Sequence, residues 1–169
     1  MTCAKIYQIF QKIFPDLATQ NIPTAHPEYF GEFFEWINLN ATYLQALDLS
    51  AYRYHGFEDN ALFQKLDIPY DQLDTLLQNK IRIFQKQNQY CAQMMHQEIL
   101  RLIICTLHDF LQQHGLDLMI IQLKQQAYWL SYPITEVNNR SELMYHLKSD
   151  FSTDLPVHIL DPKHMALFC

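Results

Sequence analysis

From Asp71 to His114 the chain runs without a proline or a glycine, and its apolar residues return at helical spacing. Leu73, Leu76, Leu77 and Phe84 lead into a polar patch at Gln85–Gln89. Beyond it come Met94, Met95, Ile99, Leu102, Ile103, Leu107, Phe110 and Leu111. A period near 3.6 sustained this far predicts helix, and Gly115 stands where a helix takes its C′ residue. Either one helix over residues 71–114 or two helices joined near Lys86–Asn88 fits the pattern. Ile99 to Leu111 is apolar on more than one face, which predicts a central buried helix.

The flanking segments divide sharply in character. Ile6, Ile9, Phe10, Ile13 and Phe14 mark one face of an amphipathic helix that Pro15 stops. Residues 15–27 carry three prolines and read as a connecting loop. Phe30, Phe33, Phe34 and Ile37 repeat the helical spacing, and Asn40 is placed to cap a further helix through Tyr43, Leu44 and Leu47. Tyr52–Asn60 loses the periodicity and reads as a turn, followed by a short helix over Asn60–Leu66. After Gly115 two β-prone runs, Leu118–Leu123 and Ala127–Tyr132, predict a hairpin. A helix over Arg140–Lys148 and a third strand at Val157–Leu160 complete a β-β-α-β order. The expected fold is α+β in one domain over 1–169. A helical layer over 1–115, with its long central helix, packs on a small C-terminal sheet with one helix over 116–169.

Composition removes several function classes. Gly31, Gly56 and Gly115 are the only glycines, so neither a dinucleotide fingerprint nor a phosphate-binding loop can be written. The nucleophile elbow GxSxG is missing for the same reason. The formal charge is −6, and the acids are spread evenly along the chain. That balance argues against nucleic-acid binding, which runs on clustered Lys and Arg. No apolar stretch approaches the roughly 18–20 residues that span a bilayer. Cys3, Cys91, Cys105 and Cys169 form no CxxC pair, and the N-terminus lacks the unbroken hydrophobic region of a secretory signal. Free thiols and a cytoplasmic location are the expectation.

Few side chains are spaced for chemistry. Cys105, His108 and Asp109 can touch across one helical turn, the minimum for a Cys–His nucleophile. A cysteine among Leu102, Ile103 and Leu107 is the composition of packing rather than catalysis, so no catalytic residue is assigned. His96, His108 and His114 diverge by about 120° on an ideal helix and do not converge on a metal. No metal or cofactor is expected, and the reading leans away from an enzyme.

Arg53, His55, Glu58 and Asp59 cluster on the loop at Tyr52–Asn60, beside Tyr52, Tyr54 and Phe57. Such a cluster is either a solvated turn with local ion pairs or an interface hot spot. Residues 29–63 also hold ten aromatics, with Glu32 and Glu35 among them. At helical spacing these rings mostly fill a core; any that face outward make an acidic, adhesive patch. The leading expectation is a cytosolic protein-binding module whose Glu32, Glu35, Arg53, His55, Glu58 and Asp59 meet a basic protein partner. Its profile is similar to that of small acidic immunity-type proteins that neutralise a toxin, and no residue is carried across from that likeness. The alternatives are a small enzyme or ligand binder with a pocket between the long helix and the sheet, and a structural subunit or secretion chaperone.

Overall fold

Pro15 cannot donate the backbone hydrogen bond that a continuing helix would need, and the first helix, α1 (Lys5–Ile13), ends two residues before it. A single 3-10 turn at Pro15–Leu17 reverses the chain. In this computed structural model the described residues are 5–23, 30–39, 41–47, 59–87, 92–122, 127–149 and 158–160. Ile6, Ile9, Phe10 and Ile13 of α1, with Tyr7 and the following Phe14, are buried in the core. Ring contacts tie α1 to α2 (Phe30–Ile37): Trp36 meets Tyr7 edge-on at 4.6 Å, and Phe33 meets Phe10 at 4.9 Å. Each such pair adds about 0.5–1.5 kcal/mol to the burial of its rings.

The segment after α2 departs from the expected helix. Leu44–Leu47 is a strand, β1, and it pairs antiparallel with β3 (Ala127–Pro133), Leu44 opposite Leu130. The local reason is Asn38. Its Oδ1 accepts from the backbone of Tyr43 at 2.9 Å and Leu44 at 3.0 Å, while its Nδ2 donates to the Leu44 carbonyl at 2.7 Å. Those bonds hold the chain extended where helical spacing alone favoured a turn.

The helical tract from Asp71 resolves into two helices, α4 (Tyr70–Gln87) and α5 (Ala92–Gln113), packed on one another. The short α3 (Ala61–Lys65) precedes them, capped by Asn60. Gly115, at φ +75°, takes the left-handed position that lets α5 pass directly into β2 (Leu116–Gln122). The strand β2 pairs with β3 and with β4 (His158–Leu160), and α6 (Val137–Ser149) lies between β3 and β4 in sequence. The β-β-α-β order is therefore present, within a four-stranded antiparallel sheet ordered β1-β3-β2-β4. The α+β class stands, and β1 adds one strand from before residue 115 to the edge of the C-terminal sheet.

Both sheet faces are covered. Successive residues of β3 point to opposite sides, and Tyr128 meets Phe34 of α2 while Trp129 meets Phe63 of α3. Leu116 through Ile121 are buried without interruption, the pattern of a strand enclosed on both faces. The α5 helix packs against β2, as the apolar run Ile99–Leu111 predicts. Among the described residues no helix is long and apolar enough to cross a membrane.

Candidate functional site

Two polar constellations stand out, one enclosed and one open. The enclosed one centres on Asp117, 1% exposed, set between Leu116 and the apolar run Leu118–Ile121 of β2. Its Oδ1 accepts from the Leu118 backbone at 2.9 Å and from Gln112 Nε2 at 3.1 Å, with His108 Nε2 at 3.4 Å. Its Oδ2 accepts from the Tyr132 hydroxyl at 3.1 Å and faces Arg140 Nη1 at 3.6 Å. Tyr132 is the cross-strand partner of Asp117, so hairpin register creates that contact. The two hydrogens of the Gln112 amide serve Asp117 and, when the ring carries its proton on Nδ1, the His108 Nε2 lone pair at 3.3 Å. Every direction around the carboxylate is taken, and a group so enclosed fixes α5, α6 and the hairpin together rather than meeting a substrate.

The open constellation is a cavity of about 250 Å³ at the end of the sheet. Ile13 and Phe14 from the end of α1, Leu62 and Leu66 of α3, and Leu116 and Pro133 at the base of the hairpin give it apolar walls. Asp16, Tyr43, Lys65 and His114 place polar atoms among them. The 3-10 turn after Pro15 is what sets Asp16 there, and the α5-to-β2 reversal at Gly115 presents His114. The Tyr43 hydroxyl donates to Asp16 Oδ2 at 3.1 Å, and Lys65 Nζ meets the same oxygen at 3.3 Å. The ring of Tyr43 lies 4.5 Å from that of Phe14. His114 Nδ1 stands 2.9 Å from the Phe110 carbonyl, which can only accept, so the proton of the neutral ring sits on Nδ1. Mostly apolar walls with a few convergent polar groups are the composition of a small-ligand site, here at the small end of the size range.

Burial, then the hydrogen bond to Asp16 and the charge of that carboxylate, push the Tyr43 phenol up from 10.0 to about 12. Between those values the unfolded chain has released this proton and the folded chain retains it. The stabilisation is thus complete below pH 10 and is lost as pH rises toward 12. Urea unfolding across this window is expected to lose about 1–2 kcal/mol more stability in the wild type than in Tyr43→Phe. Parallel decline of the two proteins would remove the assignment.

The sequence-derived partner residues fare unevenly. Glu32, Glu35 and Asp59 are exposed; Arg53, His55 and Glu58 lie outside the described residues. Of the aromatics over residues 29–63, Phe33, Trp36, Tyr43 and Phe63 are buried, and Phe34 is half-buried against Tyr128. The core reading holds for those rings, and they contribute no outer face. Cys105 is disulfide-bonded, which corrects the expectation of free thiols and removes a Cys105–His108 nucleophile. Its bonding partner lies outside the described residues. His108 turns its Nδ1 toward Asp109 at 3.6 Å, as their adjacency allows. Among the described residues no group of three or more His, Cys, Asp or Glu could hold a metal ion.

Sequence reasoning passed over Asp117, Asp16 and Lys65, and weighed Tyr43 only as a helix and core residue and His114 only as a metal ligand. A lone carboxylate inside Leu116–Ile121 was the available signal for the first. Asp16, Tyr43 and Lys65 are joined across 27 and 49 residues of chain, which no local pattern announces. No family model matches the chain, and no curated protein or solved structure matches it.

Proposed function

We propose that this protein binds a small, mainly apolar molecule in the cavity between the end of α1, α3 and the α5–β2 junction. The carrying observation is the cavity itself, with apolar walls and four polar side chains brought together from distant parts of the chain. This is the ligand-binding alternative of the sequence reading, displaced to the end of the long helix and the sheet. A protein-docking surface keeps the exposed carboxylates Glu32, Glu35 and Asp59 in its favour; Phe33, Trp36, Tyr43 and Phe63 are buried and Phe34 is half-buried, and Arg53, His55 and Glu58 lie outside the described residues. The Tyr43 hydroxyl beside Asp16 holds its proton more firmly than a free phenol does, so binding rather than turnover is the activity the geometry favours.

The test is a set of small aromatic and aliphatic fragments, followed by NMR on the intact protein. Binding is expected to shift the resonances of His114, Gly115 and Leu116. Leu66→Trp is expected to abolish it, since Leu66 lines the cavity, is partly exposed, and can carry a larger ring without disturbing the core. Fragments that bind the folded variant as well as the wild type would place the site elsewhere. A wild type that binds none of them would end the proposal.

A further inference from the structure

Resting on that cavity, we infer that its ligand is an uncharged aromatic alcohol or phenol, recognised through its hydroxyl proton. The argument is a count of protons and lone pairs. The Tyr43 hydroxyl has committed its hydrogen to Asp16 Oδ2, leaving the oxygen as an acceptor. Lys65 is drawn to that same carboxylate oxygen, and Asp16 Oδ1 has no hydrogen-bond partner among the described residues. His114 spends its Nδ1 proton on the Phe110 carbonyl, so neutral Nε2 is a bare lone pair. Lys65 keeps two further N–H groups on an exposed ammonium that water can serve; the other side-chain groups left over are acceptors, and they call for a ligand that brings the hydrogen.

Charge narrows the class further. Asp16 and Lys65 neutralise one another at 3.3 Å, so the mouth offers no net field to hold an ion. An ammonium or carboxylate head would surrender its hydration to apolar walls without a full counter-charge. A hydroxyl loses far less and gains one or more bonds to the acceptors. The Phe14–Tyr43 pair, its rings tilted 36° to one another, supplies aromatic lining for an aromatic body.

Calorimetric or NMR titration of the intact protein with phenol, toluene and benzoate tests this. The first two have nearly the same shape and differ in the donor; the third carries charge. Phenol is expected to bind about three- to tenfold more tightly than toluene, the yield of one net hydrogen bond, with benzoate weakest. His114→Phe keeps a ring against Phe110 and removes Nε2; it is expected to reduce the preference while toluene binding persists. Tyr43→Phe gives a second reading of the same preference should His114→Phe fail to fold. Equal affinity for phenol and toluene would overturn donor recognition and leave the cavity as an apolar binding site. Benzoate binding tightest would overturn it in favour of recognition by Lys65. If no probe binds, the inference and the binding function fall together.

Discussion

Replacing Asp117 with alanine is expected to lower the unfolding free energy by about 3–5 kcal/mol, a large share of the roughly 5–15 kcal/mol that keeps a domain folded. The side chain is buried, and four others converge on it from α5, β3 and α6. Its removal takes the carboxylate from Arg140, whose side chain is only 13% exposed, and takes the acceptor from Tyr132 and Gln112. Removing one member of a buried charge pair costs more than the intact pair contributes. That asymmetry gives the discriminating control. Asp117→Leu with Arg140→Met removes both charges and is expected to recover a substantial part of the loss, whereas independent sites would add their costs. Urea midpoints of the four proteins decide the matter. A loss below about 1 kcal/mol for Asp117→Ala would show that the network does not hold the helices to the hairpin.

How much of this was legible in the sequence depends on the reach of each interaction. The helices α1, α2 and α5 and the hairpin were, because burial of one face or both leaves a period in neighbouring residues. So were the short helix near Asn60–Leu66 and the reversal at Gly115; that Asn60 caps that helix was not read. The strand β1 was not. Tyr43, Leu44 and Leu47 satisfy a helical spacing as well as an extended one, and the choice is made by Asn38 and by β3, which arrives much later in the chain. Local propensity is a weak prior against such pairing. The cavity was hidden for a related reason: its polar groups come from a turn, a strand entry, a short helix and a helix end, each unremarkable alone. Acidic residues such as Glu32 and Glu35 caught the eye because they cluster in sequence, yet clustering in sequence says little about a concave site.

Asn60 links these two scales, and its loss is the second large expected effect. Fully buried, it caps α3 by accepting from Leu62 at 3.0 Å and Phe63 at 3.2 Å. Its Nδ2 donates to Gln45 of β1 at 2.7 Å, and the Thr42 carbonyl accepts from Ala61 at 2.7 Å. One side chain therefore starts a helix and fastens it to the sheet. Asn60→Ala removes the cap, worth about 1 kcal/mol, and withdraws a donor from the buried Gln45 carbonyl, worth about 1–3 kcal/mol more. The expected total is about 2–4 kcal/mol. Asn60→Ser separates the two contributions, because serine keeps an oxygen for the cap and cannot reach Gln45. It is expected to fall between wild type and alanine. Since α3 carries Leu62, Lys65 and Leu66 of the cavity wall, the alanine variant is also expected to bind fragments more weakly under conditions where it remains folded. Were serine and alanine equally costly, the cap would contribute nothing and the cost would lie in the lost bond to Gln45.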